Sequence, residues 1–373
     1  MEPFKNLFNK KIAEKIALAI SHNCFFENVC FDKKSFLKNI EAELSPLELK
    51  QRVHFLAEKL YKNLPKDFTL AIPILLGSVK KNEQDNVGLS GMALWPLTHY
   101  ISLYGLDDFD RSLSALKEMT KEFTSEFAVR PFIVKDQKKV LNVFRKWLED
   151  DNEHVRRLVS ESSRPLLPWG LKLNEVAKNP RLTSFILEKL KDDPSAYVRK
   201  SVANHLNDHS KNHPEYVYKT LLKWHLHKNK TPETEWVIKH ASRTLIKKGF
   251  KKAFIFHGIE QAKIVVGHQK ILTKKVIVGE SLRVSLVVKN LSPKEAKIIL
   301  DHEVHLLRAN GSHNIKVFKG KKLTLAAGEE LAINLAVPLK VVTTRVYYSG
   351  KHFWNLLVNG ESDSPLPFNL ESR

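Results

Sequence analysis

The chain has 373 residues, enough to bury a separate core in each of two domains. Its 61 Lys and Arg against 41 Asp and Glu leave a formal charge of +20, which excludes the balanced surface of an ordinary cytosolic enzyme and points to a polyanion as partner. From residue 259 onward there are 17 basic and 10 acidic residues, which leaves +13 for residues 1–258. Both parts are suited to the same partner, and nucleic acid is preferred over the alternative of a surface charged only for solubility.

The start, MEPFKNLFNKKIAEKIALAI, is interrupted by Lys and Glu and lacks the apolar core of a signal peptide. No segment approaches the roughly 20 apolar residues of a membrane span. Cys24 and Cys30 are the two cysteines, and their spacing is neither a disulfide framework nor a zinc motif. A reducing compartment is expected, the cytoplasm or a nucleus, and no membrane.

Up to about residue 255 apolar residues recur at three and four, as in Val53, Leu56 and Leu60 or Leu182, Ile186 and Leu190, with Pro and Asn or Asp between the runs. This predicts short helices in stacked pairs. TSEFAVRPFI (124–133) places Glu126, Val129 and Arg130 at helical spacing before Pro131, which implies a kink there or a helix beginning nearby. A carboxylate four residues before an arginine is ordinarily a helix surface pair, so Glu126 is a catalytic candidate with that pairing as its alternative.

DDNEHVRRLVSE and DDPSAYVRKSVAN put Val155-Arg156 and Val198-Arg199 in phase at an offset of 43, and EWVIKHASRTLI adds Ile238-Lys239 a further 40 on. A period of about 40 to 47 residues is that of HEAT-type repeats. Val155 with Val159, and Val198 with Val202, lie four apart and are expected to face a neighbouring helix. The adjacent Arg156 and Arg199 then form a basic stripe for phosphates, or else bridge to the acidic loops at Asp150-Asp151 and Asp192-Asp193.

HVRRLVSESSRPLLPWG (154–170) gathers Arg156, Arg157, Glu161, Arg164 and Trp169, and its two prolines make the run from Arg164 to Gly170 a shaped loop. Trp169 there serves either to stack on a base or to plug two repeats. In ANHLNDHSKNH (203–213), His205, His209 and His213 share one helical face beside Asp208, if the helix persists through Asn207, Asn212 and Pro214. A phosphate-facing edge is favoured there over a metal site.

Near residue 260 the period changes to two: Leu282, Val284, Leu286 and Val288, then Val304 and Leu306, then Leu331, Ile333, Leu335 and Val337. With turn signals at Gly279, Asn310-Gly311, Gly328, Gly350 and Asn359-Gly360, about seven strands are expected in a disulfide-free immunoglobulin-like β-sandwich. The fold class is therefore a HEAT-like helical-repeat solenoid (1–258) followed by that sandwich (259–373). No Gly-rich phosphate loop, paired zinc spacing or Gly-x-Ser-x-Gly elbow occurs, which argues against a nucleotide hydrolase, a zinc deaminase and a serine hydrolase.

WPLTHYISLYGL (95–106), TSEFAVRPF (124–132), HVRRLVSESSRPLLPWG (154–170), YVRKSVANHLNDHSK (197–211) and TTRVYYSGKHFWNLLVNG (343–360), in this order and spacing, resemble the AlkC-type HEAT-like-repeat DNA alkylation repair glycosylases. The resemblance covers nearly the whole chain and is weakest at residues 20–90. It implies removal of cationic 3-methyladenine and 3-methylcytosine from duplex DNA, with Glu126 and Asp208 as catalytic carboxylates and Glu161 as a third acid. It implies that Trp169 lies beside the lesion, that Arg157 contacts the DNA backbone and that the sandwich clamps the DNA. Arg156, Arg164, Arg199, Arg345 and Lys351 are the other expected backbone contacts.

The chemistry is consistent with this set. Methylation at N3 charges the base and makes it a good leaving group, so no strong general acid is needed. What remains is to stabilise an oxocarbenium-like sugar and aim a water at its anomeric carbon, a task for carboxylates. A monomer acting on double-stranded DNA with alkylated bases, without cofactor, metal or lyase activity, is expected. The rivals are a non-enzymatic HEAT scaffold that binds nucleic acid or an acidic protein, and a metal hydrolase built on His205, His209 and His213.

Overall fold

The computed structural model describes residues 3–27, 29–81, 86–259, 262–342, 345–362 and 364–371. Thr343 and Thr344 of the sandwich motif lie outside the described residues. The chain divides into two compact units, residues 1–209 with 231–237, and residues 210–230 with 238–373. Helices occupy the chain as far as His257 and strands begin at Ile264.

The first unit is built of short helices that begin where a polar side chain can accept an otherwise unpaired amide. Asp67 accepts from the Thr69 amide at 2.8 Å, Asp136 from Lys139 at 2.9 Å and Asn152 from His154 at 2.9 Å. These are the Asn and Asp breaks of the sequence, acting as caps. Behind each cap one face is apolar: Val53, Leu56 and Leu60 of the helix Leu49–Asn63 are buried. Leu182 departs from its expected helical stripe. It lies in a 3-10 turn, Pro180–Thr183, and the helix Ser184–Leu190 that buries Ile186 and Leu190 starts after it.

The 43-residue offset joins equivalent positions of two packed helices. Val155 and Val159 of Glu153–Ser162 and Val198 and Val202 of Ala196–His209 are all fully buried, each worth about 1.5–3 kcal/mol of transfer free energy. The third copy is the helix Pro232–Ala241, where Val237 and Ile238 are also buried. No helix among the described residues is long and apolar enough to cross a membrane.

The second unit contains nine strands among the described residues: β1 (Ile264–Ile271), β2 (Lys275–Ile277), β3 (Ser281–Asn290), β4 (Ala296–Leu307), β5 (His313–Leu325), β6 (Glu330–Pro338), β7 (Gly350–Val358), β8 (Glu361–Ser362) and β9 (Leu366–Glu371). One sheet runs β1-β3-β6 and the other β2-β9-β7-β4-β5, with β8 on β7. Antiparallel register pairs Leu282 with Val337, Val284 with Leu335 and Leu286 with Ile333, so the period-two residues turn to one face and form the core with Val304, Leu306 and Trp354. Trp354 donates its indole N–H to His302 Nδ1 at 3.0 Å. Burial pushes His302 down to about 4. Gly311 closes the β4–β5 hairpin at φ 77°, a conformation that only glycine adopts freely.

Candidate active site

The carboxylates singled out in the sequence converge in the first unit on a chain of alternating charges. Glu126 lies on a turn, because the helix begins only at Arg130 with Pro131 in its first turn. Glu161 is one residue from the end of Glu153–Ser162, and Asp208 one residue from the end of Ala196–His209. Their exposures are 8, 6 and 5 %. Arg157 ion-pairs with Glu126 Oε2 through one terminal nitrogen and reaches Glu161 Oε1 at 3.4 Å through the other. Arg164 meets Glu161 Oε1 at 2.7 Å and Asp208 Oδ2 at 2.9 Å. The order is thus Glu126, Arg157, Glu161, Arg164, Asp208.

Hydroxyls complete the carboxylate shells. Thr124 donates to Glu126 Oε2 at 2.9 Å and accepts from Arg157 at 2.9 Å. Ser201 donates to Glu161 Oε2 at 2.6 Å. Burial opposes the Arg164 charge, but the hydrogen bond to Asp208 and the charges of Glu161 and Asp208 outweigh it and raise its pKa above the ordinary value. Tyr197 forms one side of the cluster, its ring 4.8 Å from the Arg157 guanidinium carbon. Burial, with the charges of Glu126, Glu161 and Glu153 opposing that of Arg157, raises its phenol pKa.

Arg130 is fully buried and holds the loop between Glu161 and Trp169. It donates to the carbonyls of Ser162 at 2.7 Å, Arg164 at 2.8 Å and Leu171 at 2.5 Å. Burial and then the Arg164 charge pull it down to about 10 against Asp208, Glu126 and Glu161, so it stays charged at neutral pH. Trp169, on this loop, is 61 % exposed with a φ of 65°, and Lys50 donates to its carbonyl. It is not a plug between repeats. It rims a cavity of about 600 Å³ lined also by Phe55, Trp95, His99 and Phe127. Burial, then the charges of His54 and Lys50, push His99 there down to about 4.

A family model described as DNA alkylation repair enzyme matches residues 115–245, and one described as the C-terminal Ig-like domain of uncharacterised protein YhaZ matches residues 265–372. The uncharacterized protein YhaZ of Bacillus subtilis (strain 168) is 37 % identical over 372 residues, covering 99 % of this chain and 100 % of that protein. The structure of the Pseudomonas fluorescens alkylpurine DNA glycosylase AlkC, bound to DNA containing an abasic site analog, superposes with a TM-score of 0.89 at 36 % identity, covering 99 % of this chain and 100 % of that one. The chain belongs to the AlkC family of DNA alkylation repair glycosylases.

Against the residues expected from the AlkC resemblance, Glu126, Glu161, Asp208, Arg157 and Arg164 meet in one cluster, but the basic stripe is not formed as expected. Arg164 is 8 % exposed between two carboxylates. Arg156 makes a two-nitrogen ion pair with Asp193 at 2.7 and 3.0 Å and bonds the carbonyls of Asp150 and Asp151. Arg199 donates to the Asp193 and Pro194 carbonyls at 2.6 and 2.8 Å. Arg156 and Arg199 therefore take the alternative role of bridging the acidic loops, because an N-terminal loop of each repeat offers converging carbonyl and carboxylate oxygens. In the second unit Arg345 packs against Phe318 and donates to the Tyr347 hydroxyl at 2.7 Å, and Lys351 is exposed over the Phe353 ring at 5.4 Å.

The histidine face requires a correction. The helix carrying His205 and His209 ends at His209, and His213 is the N-cap of the next one, Pro214–His225. His205 is fully buried, with Nδ1 3.1 Å from the Ser160 carbonyl, to which it donates, and Nε2 3.1 Å from the Thr183 hydroxyl. Burial, then the His209 and Arg164 charges, hold its pKa well below the ordinary value. It is a neutral histidine that pins two helices. Among the described residues no group of three His, Cys, Asp or Glu is placed to hold a metal.

The sequence alone does not mark Arg130, Thr124, Ser201 or Tyr197 as site residues. One signal was available: Tyr197 is displaced from His154 by the repeat offset of 43, and the two rings pack edge to face at 5.7 Å.

Proposed function

We propose that this protein hydrolyses the N-glycosidic bond of cationic alkylated bases, 3-methyladenine and 3-methylcytosine, in double-stranded DNA. The observation that carries this reading is the buried alternation of three carboxylates with two arginines, held by Thr124 and Ser201. As the bond to a cationic base lengthens, the base leaves neutral and positive charge moves to the sugar. Glu126 and Asp208 are fixed in advance to stabilise that charge and to orient a water at the anomeric carbon, with Glu161 the third acid, so little reorganisation accompanies the reaction. Glu126 and Glu161 are partnered by guanidiniums and hydroxyls, which cannot form the Schiff base of a lyase, and this favours a monofunctional hydrolase.

Trp169 is assigned to the lesion through its exposed indole, and Arg157, Arg345 and Lys351 to phosphates. In this reading residues 1–258 carry catalysis, the 259–373 sandwich adds a second grip, and the protein works as a monomer in the cytoplasm at the nucleoid. That the AlkC structure was determined with an abasic site analog supports DNA from which a base has been lost as the product. The test is release of 3-methyladenine and 3-methylcytosine from methylated duplex by the purified protein. Release no faster than by a Glu126→Gln, Asp208→Asn double variant overturns the proposal, and binding without release would mark a scaffold.

A further inference from the structure

The Arg157 guanidinium is held as a cationic ligand would be held. It is in ion-pair contact with Glu126 and Glu161, and its carbon stands 4.8 Å from the ring centre of Tyr197. Two carboxylates and an aromatic face are complementary to a delocalised planar cation. Of the three arginines here, Arg130 is anchored to three carbonyls and Arg164 to two carboxylates with its own carbonyl held by Arg130. The Arg157 side chain is 13 % exposed, against 9 % for Arg164 and none for Arg130, and it rests on the ring of Tyr197, which is itself 41 % exposed.

We propose that Glu126, Glu161 and the face of Tyr197 form a cation site that Arg157 fills in the free protein and vacates for a DNA phosphate, leaving Tyr197 to face the cationic sugar of the substrate. This rests on the glycosylase reading and adds Tyr197 to its machinery as a residue that selects for charge. Departure of Arg157 removes one positive charge from beside two carboxylates at the moment the duplex arrives. The site thereby becomes attractive to a developing cation only when DNA is in place, and phosphate binding is coupled to the power of Glu126. The Tyr197 ring contributes through its π face rather than its hydroxyl, so phenylalanine serves equally and an aliphatic residue does not.

The experiment compares the affinity of the full-length protein for two duplexes, one carrying a positively charged pyrrolidine in place of a deoxyribose and one a neutral tetrahydrofuran. The wild type is expected to prefer the charged analog. Tyr197→Phe keeps that preference, and Tyr197→Leu reduces it about tenfold. Phenylalanines of increasing fluorination at 197, which drain the ring face without changing its shape, lower it in steps and guard against a folding defect in the leucine variant. Arg157→Gln weakens binding of both duplexes and makes the salt dependence shallower by about one unit, with the preference retained.

A preference unchanged by Tyr197→Leu and flat across the fluorinated series overturns the assignment of Tyr197. A preference that rises in Arg157→Gln overturns the exchange, since it shows the guanidinium still beside the two carboxylates, repelling the charged analog, in the wild-type complex. A wild type that releases base but shows either result refutes this inference alone, whereas a wild type that releases no base and binds both duplexes equally refutes the glycosylase reading as well.

Discussion

Replacing Asp208 with Asn separates the structural from the catalytic role of a buried carboxylate. Asp208 is 5 % exposed and accepts from Arg164 Nε at 2.9 Å. Asparagine preserves the shape and an acceptor and removes only the charge. Arg164 keeps Glu161 at 2.7 Å, so no guanidinium is left unpaired, and the stability loss should be about 1–2 kcal/mol rather than the roughly 3–5 kcal/mol of a pair broken outright. For a unit of this size that lowers the melting temperature by about 2–8 °C, and the variant stays folded at 25 °C. Removing a fixed charge from beside a developing cation is expected to cost on the order of a hundredfold to a thousandfold in rate, about 3–4 kcal/mol. The assay is single-turnover release of 3-methyladenine at saturating protein, with a melting curve on the same sample. A rate within about threefold of wild type refutes the reasoning, because a carboxylate that the transition state does not feel cannot be stabilising it.

Other substitutions test other parts of the structure. Trp169→Ala removes an exposed ring whose backbone contact with Lys50 survives, so the melting temperature should barely move while base release falls about 5- to 100-fold, the value of one stacked base; unaltered release removes Trp169 from the lesion site. Arg156→Ala breaks the tie to Asp193 and two carbonyls and should destabilise by about 2–4 kcal/mol without altering the salt dependence of DNA binding, and a slope shallower by about one unit would restore it to the DNA contacts. His302 is held down to about 4 by burial, so as pH falls below 6.5 the unfolded chain takes the proton first. The stability His302 contributes is full above pH 6.5 and is lost toward pH 4, with about 2 kcal/mol gone by pH 5. Denaturant unfolding of His302→Gln between pH 7.5 and 5 should lack that component, and an unchanged pH slope contradicts the assignment.

The features legible in the sequence are those written in backbone periodicity. Leu282, Val284, Leu286 and Val288 alternate because strand side chains alternate, and Val155 and Val198 recur at 43 residues because each repeat buries the same helix position. The Asn and Asp breaks between the helical runs are legible as a class, and the structure makes Asp67 and Asn152 caps because a helix start requires an acceptor for its first amides. Side-chain destinations are not written locally. Arg156 and Arg157 are neighbours, yet one closes a loop with Asp193, 37 residues on, and the other reaches back 31 residues to Glu126. No local property distinguishes them, and the choice depends on which loops the repeats bring together. His205 belongs to the same class: its spacing from His209 fits a metal pair, and only the Ser160 carbonyl and Thr183 hydroxyl, from other parts of the chain, show that it is a neutral core group.

The charge of the whole molecule and the charge of its site answer to opposite requirements. A chain of +20 attracts a polyanion at long range, but a site that shared this excess would repel the cationic base that it is proposed to release. An uncompensated acidic site would in turn repel the phosphates flanking that base. Three carboxylates interleaved with Arg157 and Arg164, above the buried Arg130, resolve the conflict by near neutrality. At an effective dielectric constant near 20, a unit charge 4 Å from another contributes about 4 kcal/mol. Moving one guanidinium from a carboxylate to a phosphate is therefore large enough to turn a neutral resting cluster into one that favours a positive sugar, without any movement of the backbone that carries the acids.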